Sequence, residues 1–434
     1  MRLGLCLTSC CVLVGCSDYV FVASDGGSPS DANADVTLGD ASNDAPVSPY
    51  GELSNAASWS TFDTSAVDTS ISGFSGATFD GKFVYFVPAG ASTAARHDTT
   101  KALDDVSAWD TFDIAGVGGS AGYAGAAFDG RYVYYAPDES TTGPISTVIR
   151  FDTLGGFKLP SAWSEFDLAQ VNLGAKGFVG VVSDGRYLYF IPNDNLATNS
   201  VFARYDTQGA FASANSWSVI DVTLFHSANG FAGGVFDGRY LYAFSRASNI
   251  LARYDTTATF GAAASWAFFD ASSFNGSSTQ GFLGGAFDGV HLYAPMLDGL
   301  GTLLRYDTTA SFTAGTSWSS LTTTGVAPSA SGYIGGGFDG RFAYFNPIAR
   351  TLPDGGADVS GLVLRYDTTA SFVPASFGSF DLLTLTPPVG VIDCCVFDGE
   401  HMYFASIVSN VVARFDARTP ASMPALPAFH GSFF

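Results

Sequence analysis

Apolar and polar positions alternate along most of the chain in short runs, and one order of runs returns seven times. In the stretch 233–266 a small-residue run, Gly233-Gly234-Val235-Phe236, meets Asp237-Gly238. Tyr240-Leu241-Tyr242-Ala243-Phe244 follows, then Leu251-Ala252-Arg253-Tyr254-Asp255, and finally Trp266. Runs this short with a period of two are strands, and an Asp-Gly pair between two of them is a hairpin signal. The Asp-Gly pair recurs at Asp80, Asp129, Asp184, Asp237, Asp288, Asp339 and Asp398. An Arg-(aromatic or His)-Asp triplet begins downstream of each, at Arg96, Arg150, Arg204, Arg253, Arg305, Arg365 and Arg414. All six tryptophans, Trp59, Trp109, Trp163, Trp217, Trp266 and Trp318, mark the last run of a unit, and Phe377 takes the seventh slot. Self-similarity at a period of about fifty residues marks a repeat array.

One copy predicts the elements of all. Gly281–Phe287 is a small-residue strand, Asp288-Gly289 a tight turn, Val290–Pro295 a second strand that proline ends, and Thr302–Asp307 a third. The segment Asp307–Phe312 predicts a polar, short helical turn capped by the aspartate, and Ser317–Leu321 a fourth strand. Four antiparallel strands, seven times over, predict an all-β, seven-bladed β-propeller of four-stranded blades. Small side chains suit the inner strand, where blades converge, and Trp and Phe suit the outer ones. One Trp-Phe-Asp segment, Trp59–Asp63, precedes the first Asp-Gly unit and none follows Asp416. The N-terminal strand is therefore expected to close the last blade as its outer strand, removing free sheet edges.

The order Asp237-Gly238-Arg239-Tyr240-Leu241-Tyr242, then Tyr254-Asp255, then Trp266, resembles the kelch repeat, and the resemblance covers the chain from Trp59 to Asp416. It implies a kelch-like propeller. Two departures stand out: prolines (Pro88, Pro137, Pro192, Pro295, Pro347) occupy the place of the family's di-glycine, and the Asp-to-Trp spacing is longer.

Charge and the N-terminus add a location. Only 14% of residues are charged, the formal net charge is -21, and lysines number four. Nucleic-acid binding needs a basic footprint that such a chain lacks. Met1-Arg2 and the apolar run Leu3–Val14 read as a signal peptide ending in Leu13-Val14-Gly15-Cys16. That ending resembles the lipobox of bacterial lipoproteins, which implies cleavage before Cys16 and acylation of it. Ser17 after the cysteine implies sorting to the outer membrane or cell surface. Stable anchoring needs two lipid chains, and three would be present. Residues 17–49 hold six Asp, no Lys or Arg, and mostly Ser, Ala, Gly, Asn and Pro, the composition of a self-repelling disordered linker. The expected layout is a signal peptide over 1–16, the linker over 17–49 and the propeller over 50–434, touching membrane through its lipid anchor alone.

Groups present in every blade serve the blade. The Arg and Asp of each triplet share a strand face, and the guanidinium is expected between blades, pairing with the Asp of a neighbouring Asp-Gly turn. Tyrosine pairs such as Tyr134-Tyr135 are expected in interblade packing. His97, His291 and His401 stand in aromatic slots, while His226 and His430 are isolated; no metal-ligand spacing, cofactor or catalytic set is expected. Cys394-Cys395 occupies the Gly-Gly position of the inner strand, as free thiols or, alternatively, a strained vicinal disulfide.

The connections on one rim are constant, whereas those on the other vary in length and content, and variable loops on a rigid scaffold are where binding is built. The candidate binding rim comprises Asp138, Glu139, Lys176, Asn193, Asp194, Asn195, Arg246, Asp298, Arg350, Asp354 and Asp358, with His226 nearby. Such an acidic, amide-rich set suits a protein or a glycan. The leading expectation is a non-catalytic binding or scaffold module. The alternatives are a carbohydrate-active enzyme with its site at the channel mouth, which would place polar groups of shifted titration there, and a purely structural envelope component.

Overall fold

The computed structural model describes residues 49–193, 200–274, 281–351 and 357–418. Seven antiparallel sheets form a ring: blade 1 (74–113), blade 2 (123–167), blade 3 (178–221), blade 4 (231–270), blade 5 (286–322), blade 6 (332–381) and blade 7 (392–416 with 59–63). The first strand of each blade touches the first strands of its neighbours, and the Trp-containing strand is outermost. Closure is as expected. Trp59–Asp63 pairs antiparallel with Val411–Asp416, Trp59 opposite Phe415 and Asp63 opposite Val411. Pairing extends outward, with Gly51 donating its N–H to the Ala417 carbonyl at 3.0 Å and Tyr50 bridging Arg418.

The inner strands are small because the neighbouring blade packs close against them. A Cβ on Gly285 would sit 2.4 Å from the Phe244 ring of the preceding blade. In every blade but the fifth the inner strand also carries an irregular register near its start, as between Phe74 and Ala77. Such bulges bend a strand and re-aim its side chains.

Aromatic rings join the blades farther out. Each tryptophan donates its indole N–H to a carbonyl six residues earlier, as Trp266 does to Phe260 at 3.0 Å. The Phe three residues after one Trp stacks on the next blade's Trp: Phe62 on Trp109, Phe112 on Trp163, Phe166 on Trp217 and Phe269 on Trp318, at 4.3–5.5 Å. Phe380 stacks on Trp59 at 5.0 Å, so the ladder crosses the closure. Each such pair adds about 0.5–1.5 kcal/mol beyond its buried area.

The repeated polar residues are scaffold. The Asp-Gly aspartate precedes the turn centre rather than occupying it: Asp237 Oδ1 accepts the N–H groups of Arg239 (2.8 Å) and Tyr240 (2.6 Å), and Oδ2 accepts the Tyr242 hydroxyl at 2.6 Å. Gly238 supplies the positive φ, +101°, that the turn needs. The triplet arginines do lie between blades, but aromatic rings flank them. Arg253 sits 4.1 Å from the Tyr240 ring of its own blade and 4.8 Å from Phe312 of the next. The expected pairing with a neighbouring Asp-Gly turn does not form; the triplet aspartate Asp255 pairs instead with Arg239 at 2.7 Å. The expected helical turn is also displaced. Asp307 caps Thr309 in a plain turn, and the 3-10 turn is Gly315–Ser317, directly before Trp318. Cys394 and Cys395 are free, buried thiols in different interblade cores, so the vicinal bridge does not exist.

Candidate functional site

Antiparallel order puts the Asp-Gly turns and the third-to-fourth-strand turns at one end of every blade, and the irregular connections at the other. Charge follows the same division. Of the domain's Lys and Arg residues, Lys176, Arg246 and Arg350 alone belong to the variable end. That end carries the fourth-strand aspartates Asp63, Asp113, Asp167, Asp221, Asp270 and Asp381, each capping the turn that follows it. It also carries Asp68, Asp138, Glu139 and Asp393. A whole face is thereby acidic.

The expected rim residues separate into those that converge and those tied up locally. Asp138 and Asn193 converge. They directly follow the second strands of adjacent blades, and Asn193 Nδ2 donates to Asp138 Oδ1 at 2.7 Å. Glu139 beside them is exposed and pairs with Pro144 in a two-residue ladder that Ser140 and Gly143 complete. Asp298 is a turn cap, its Oδ1 accepting the N–H groups of Leu300, Gly301 and Thr302. Arg350 and Asp358 lie opposite each other in an extension of blade 6 and pair at 2.6 Å, closing their own hairpin. Lys176 and Arg246 are exposed on connections of separate blades. His226 lies flat on Phe268, 3.9 Å between ring centres, with Nδ1 accepting the Ala228 N–H. Asp194, Asn195, Asp354 and Cys16 lie outside the described residues.

Sequence reasoning passed over Asp393. It occupies the second position of the blade 7 inner strand, where the other blades carry Ser75, Ala124, Val179, Ala232, Leu283 and Ile334. No other inner strand contains a charged residue, and that was the available signal. Ser75 of blade 1 donates its hydroxyl to Asp393 Oδ2 at 2.5 Å. Two residues earlier Val391 holds φ at +54°, the one non-glycine with positive φ among the described residues; Gly73, Gly122, Gly177 and Gly230 fill that place in blades 1 to 4. A β-branched residue in this region is strained.

The two carboxylates near the axis hold their protons unusually well. Burial, reinforced by Glu139 and Asp393 and opposed by the Asn193 hydrogen bond, pushes Asp138 up to about 7. Burial lifts Asp393 to about 6, against the stabilising Ser75 hydroxyl. Each keeps some accessible surface while protein surrounds it, so desolvation dominates without closing off the group. Chemically, the mouth of the ring can accept hydrogen bonds, hold a cation, or exchange protons near neutral pH. Among the described residues no cluster of three His, Cys, Asp or Glu side chains has metal-binding geometry, and no helix is long and apolar enough to cross a membrane.

No family model and no curated protein matches the sequence. Solved structures share its architecture. Virginiamycin B lyase from Staphylococcus aureus aligns with a TM-score of 0.52 at 10% identity, over 82% of this chain and 98% of that one. The β-propeller domain of Cps50 (Swd1) from Myceliophteria thermophila aligns at 0.51 and 9%, over 83% and 99%. A chain of the mitotic checkpoint complex aligns at 0.52 and 10%, over 90% and 99%. At such identities the likeness is one of fold alone: this chain is a seven-bladed β-propeller.

Proposed function

We propose that the protein is a kelch-like propeller, lipid-anchored at a bacterial cell surface through Cys16, that binds a basic protein partner on its variable face without catalysis. The observation that carries this reading is where the cations lie: at the constant end basic side chains accompany and pair with the repeated aspartates, whereas the end whose loops differ has carboxylates with few cations among them. Complementary charge steers association and selects the partner. The chain enters the domain at Tyr50, which bridges Arg418 at the constant end, so the segment leading into the domain leaves the variable face unoccupied by its own entry strand. The test is retention of partners from an envelope extract on immobilised domain, with each partner then purified and rebound. Glu139→Lys combined with Asp138→Asn is expected to lose the partner, while Arg186→Glu at the constant end keeps it. Loss on the Arg186 variant alone, or retention of glycans instead of protein, contradicts the reading.

A second reading rests on a different observation. Asp138 and Asp393, both with raised affinity for protons, are the kind of carboxylates a glycoside-cleaving site uses. Glycan hydrolysis abolished by Asp138→Asn would favour it; no hydrolysis of any glycan offered removes it.

A further inference from the structure

The repeats act as internal controls, and blades 5 and 7 depart from them, blade 7 with Glu400 and His401 after its Asp-Gly pair and blade 5 with Val290 and His291. In blades 2, 3, 4 and 6 the residue after Asp-Gly is an arginine that pairs with the triplet aspartate: Arg131–Asp152 at 2.7 Å, Arg186–Asp206 at 2.8 Å, Arg239–Asp255 at 2.7 Å and Arg341–Asp367 at 2.8 Å. The next residue is an aromatic ring lying 4.0–4.3 Å from the triplet guanidinium: Tyr132, Tyr187, Tyr240 and Phe342. Blade 5 carries Val290 and His291 in these two places. Val290 is exposed and offers Asp307 no charge. Arg305 keeps one flanking aromatic ring, Phe372 of the next blade at 4.5 Å, and a long 3.5 Å contact to the Tyr366 hydroxyl. Beside the third and fourth strands of this blade a groove of about 370 Å³ is lined by His291, Arg305, Asp307, Thr316, Ser317 and Ser319 among others.

We propose that this groove binds a single carboxylated sugar unit, its carboxylate on Arg305 and its hydroxyls on Asp307 and the Ser and Thr hydroxyls. The Arg305 guanidinium lines the groove, and the N–H groups along its edge form a planar fork matched to a carboxylate. A bare anion does not account for the lining, because Asp307 would repel it; a ligand with hydroxyl donors satisfies Asp307 and the arginine together. The volume is at the lower end of the roughly 300–1,000 Å³ of small-molecule sites, which fits a monosaccharide. The groove lies at the constant end, where the basic residues collect, and this inference stands apart from the variable-face reading.

The test is ligand-detected NMR on the full domain, with galacturonate, galactose and acetate as probes. Saturation transfer is expected to galacturonate but not to galactose, with at least tenfold weaker competition by acetate. Val290→Arg with His291→Tyr restores the pattern of the other blades, so it should close the groove and abolish the signal without lowering the melting temperature. If that pair destabilises the domain, Ser319→Leu fills the groove from the fourth strand and should have the same effect. No galacturonate signal, equal binding by the groove-filled variants, equal binding of galactose, or equal competition by acetate overturns the proposal.

Discussion

The Asp-Gly aspartate shows how a residue can be repeated seven times for structural reasons alone. In Asp237 one carboxylate fixes two turn N–H groups and a buried tyrosine hydroxyl. Asp237→Ala leaves Tyr242 buried with an unmet hydroxyl and should cost about 2–4 kcal/mol in chemical denaturation; a loss within error of zero contradicts the scaffold role. Asp138 and Asp393 are the opposite case, since they burden the fold. Their folded pKa values, about 7 and about 6, exceed the roughly 3.9 of an unfolded aspartate. The folded chain then binds more protons than the unfolded one, so the stability they lend is complete below about pH 4 and is lost as pH rises through 6 and 7. Asp138→Asn and Asp393→Asn should therefore melt with the parent at pH 4 and above it at pH 8. An equal gap at both pH values would refute the raised affinities.

At the scale of the strand, the repeat makes the fold legible in the sequence. Its markers foretold four strands per blade, tryptophan on the outer strand, small residues inside, and closure by Trp59–Asp63. Period-two alternation tells which side chains share a face, but not what the adjacent blade brings against that face. That is why the aromatic rings around Arg253 were not foreseen. Asp393 escaped for a related reason: the register irregularity in the inner strand decides where its side chain goes, and register lies outside a one-dimensional pattern. Rim residues such as Asp298 and Arg350 were legible as polar groups in variable loops, but their bonds to their own turn and hairpin were not. Closure itself is testable. Removal of residues 50–65 takes away Trp59 and Phe62 and uncovers Phe404 and Phe415. Single Trp or Phe deletions cost about 3–5 kcal/mol, so the truncated domain should lose most of the 5–15 kcal/mol typical of a fold. A truncated domain that melts with the full one would mean the ring closes another way.

The whole molecule divides its labour between two ends: one is held by the same bonds in blade after blade, and the other is free to differ. The chain enters the domain at the first end, where Tyr50 and Gly51 pair with Arg418 and Ala417. On the proposed reading, Cys16→Ser should shift the protein from the membrane fraction to the soluble one and abolish palmitate labelling; unchanged fractionation would remove the lipid anchor. The same reading puts partner binding at the second end. Hydrogen exchange on the domain, with and without the partner it retains, tests that division most directly. Protection confined to the connections after the second and fourth strands, including Asp138 and Asn193, is the expected result, and protection centred on the Asp-Gly turns would contradict it.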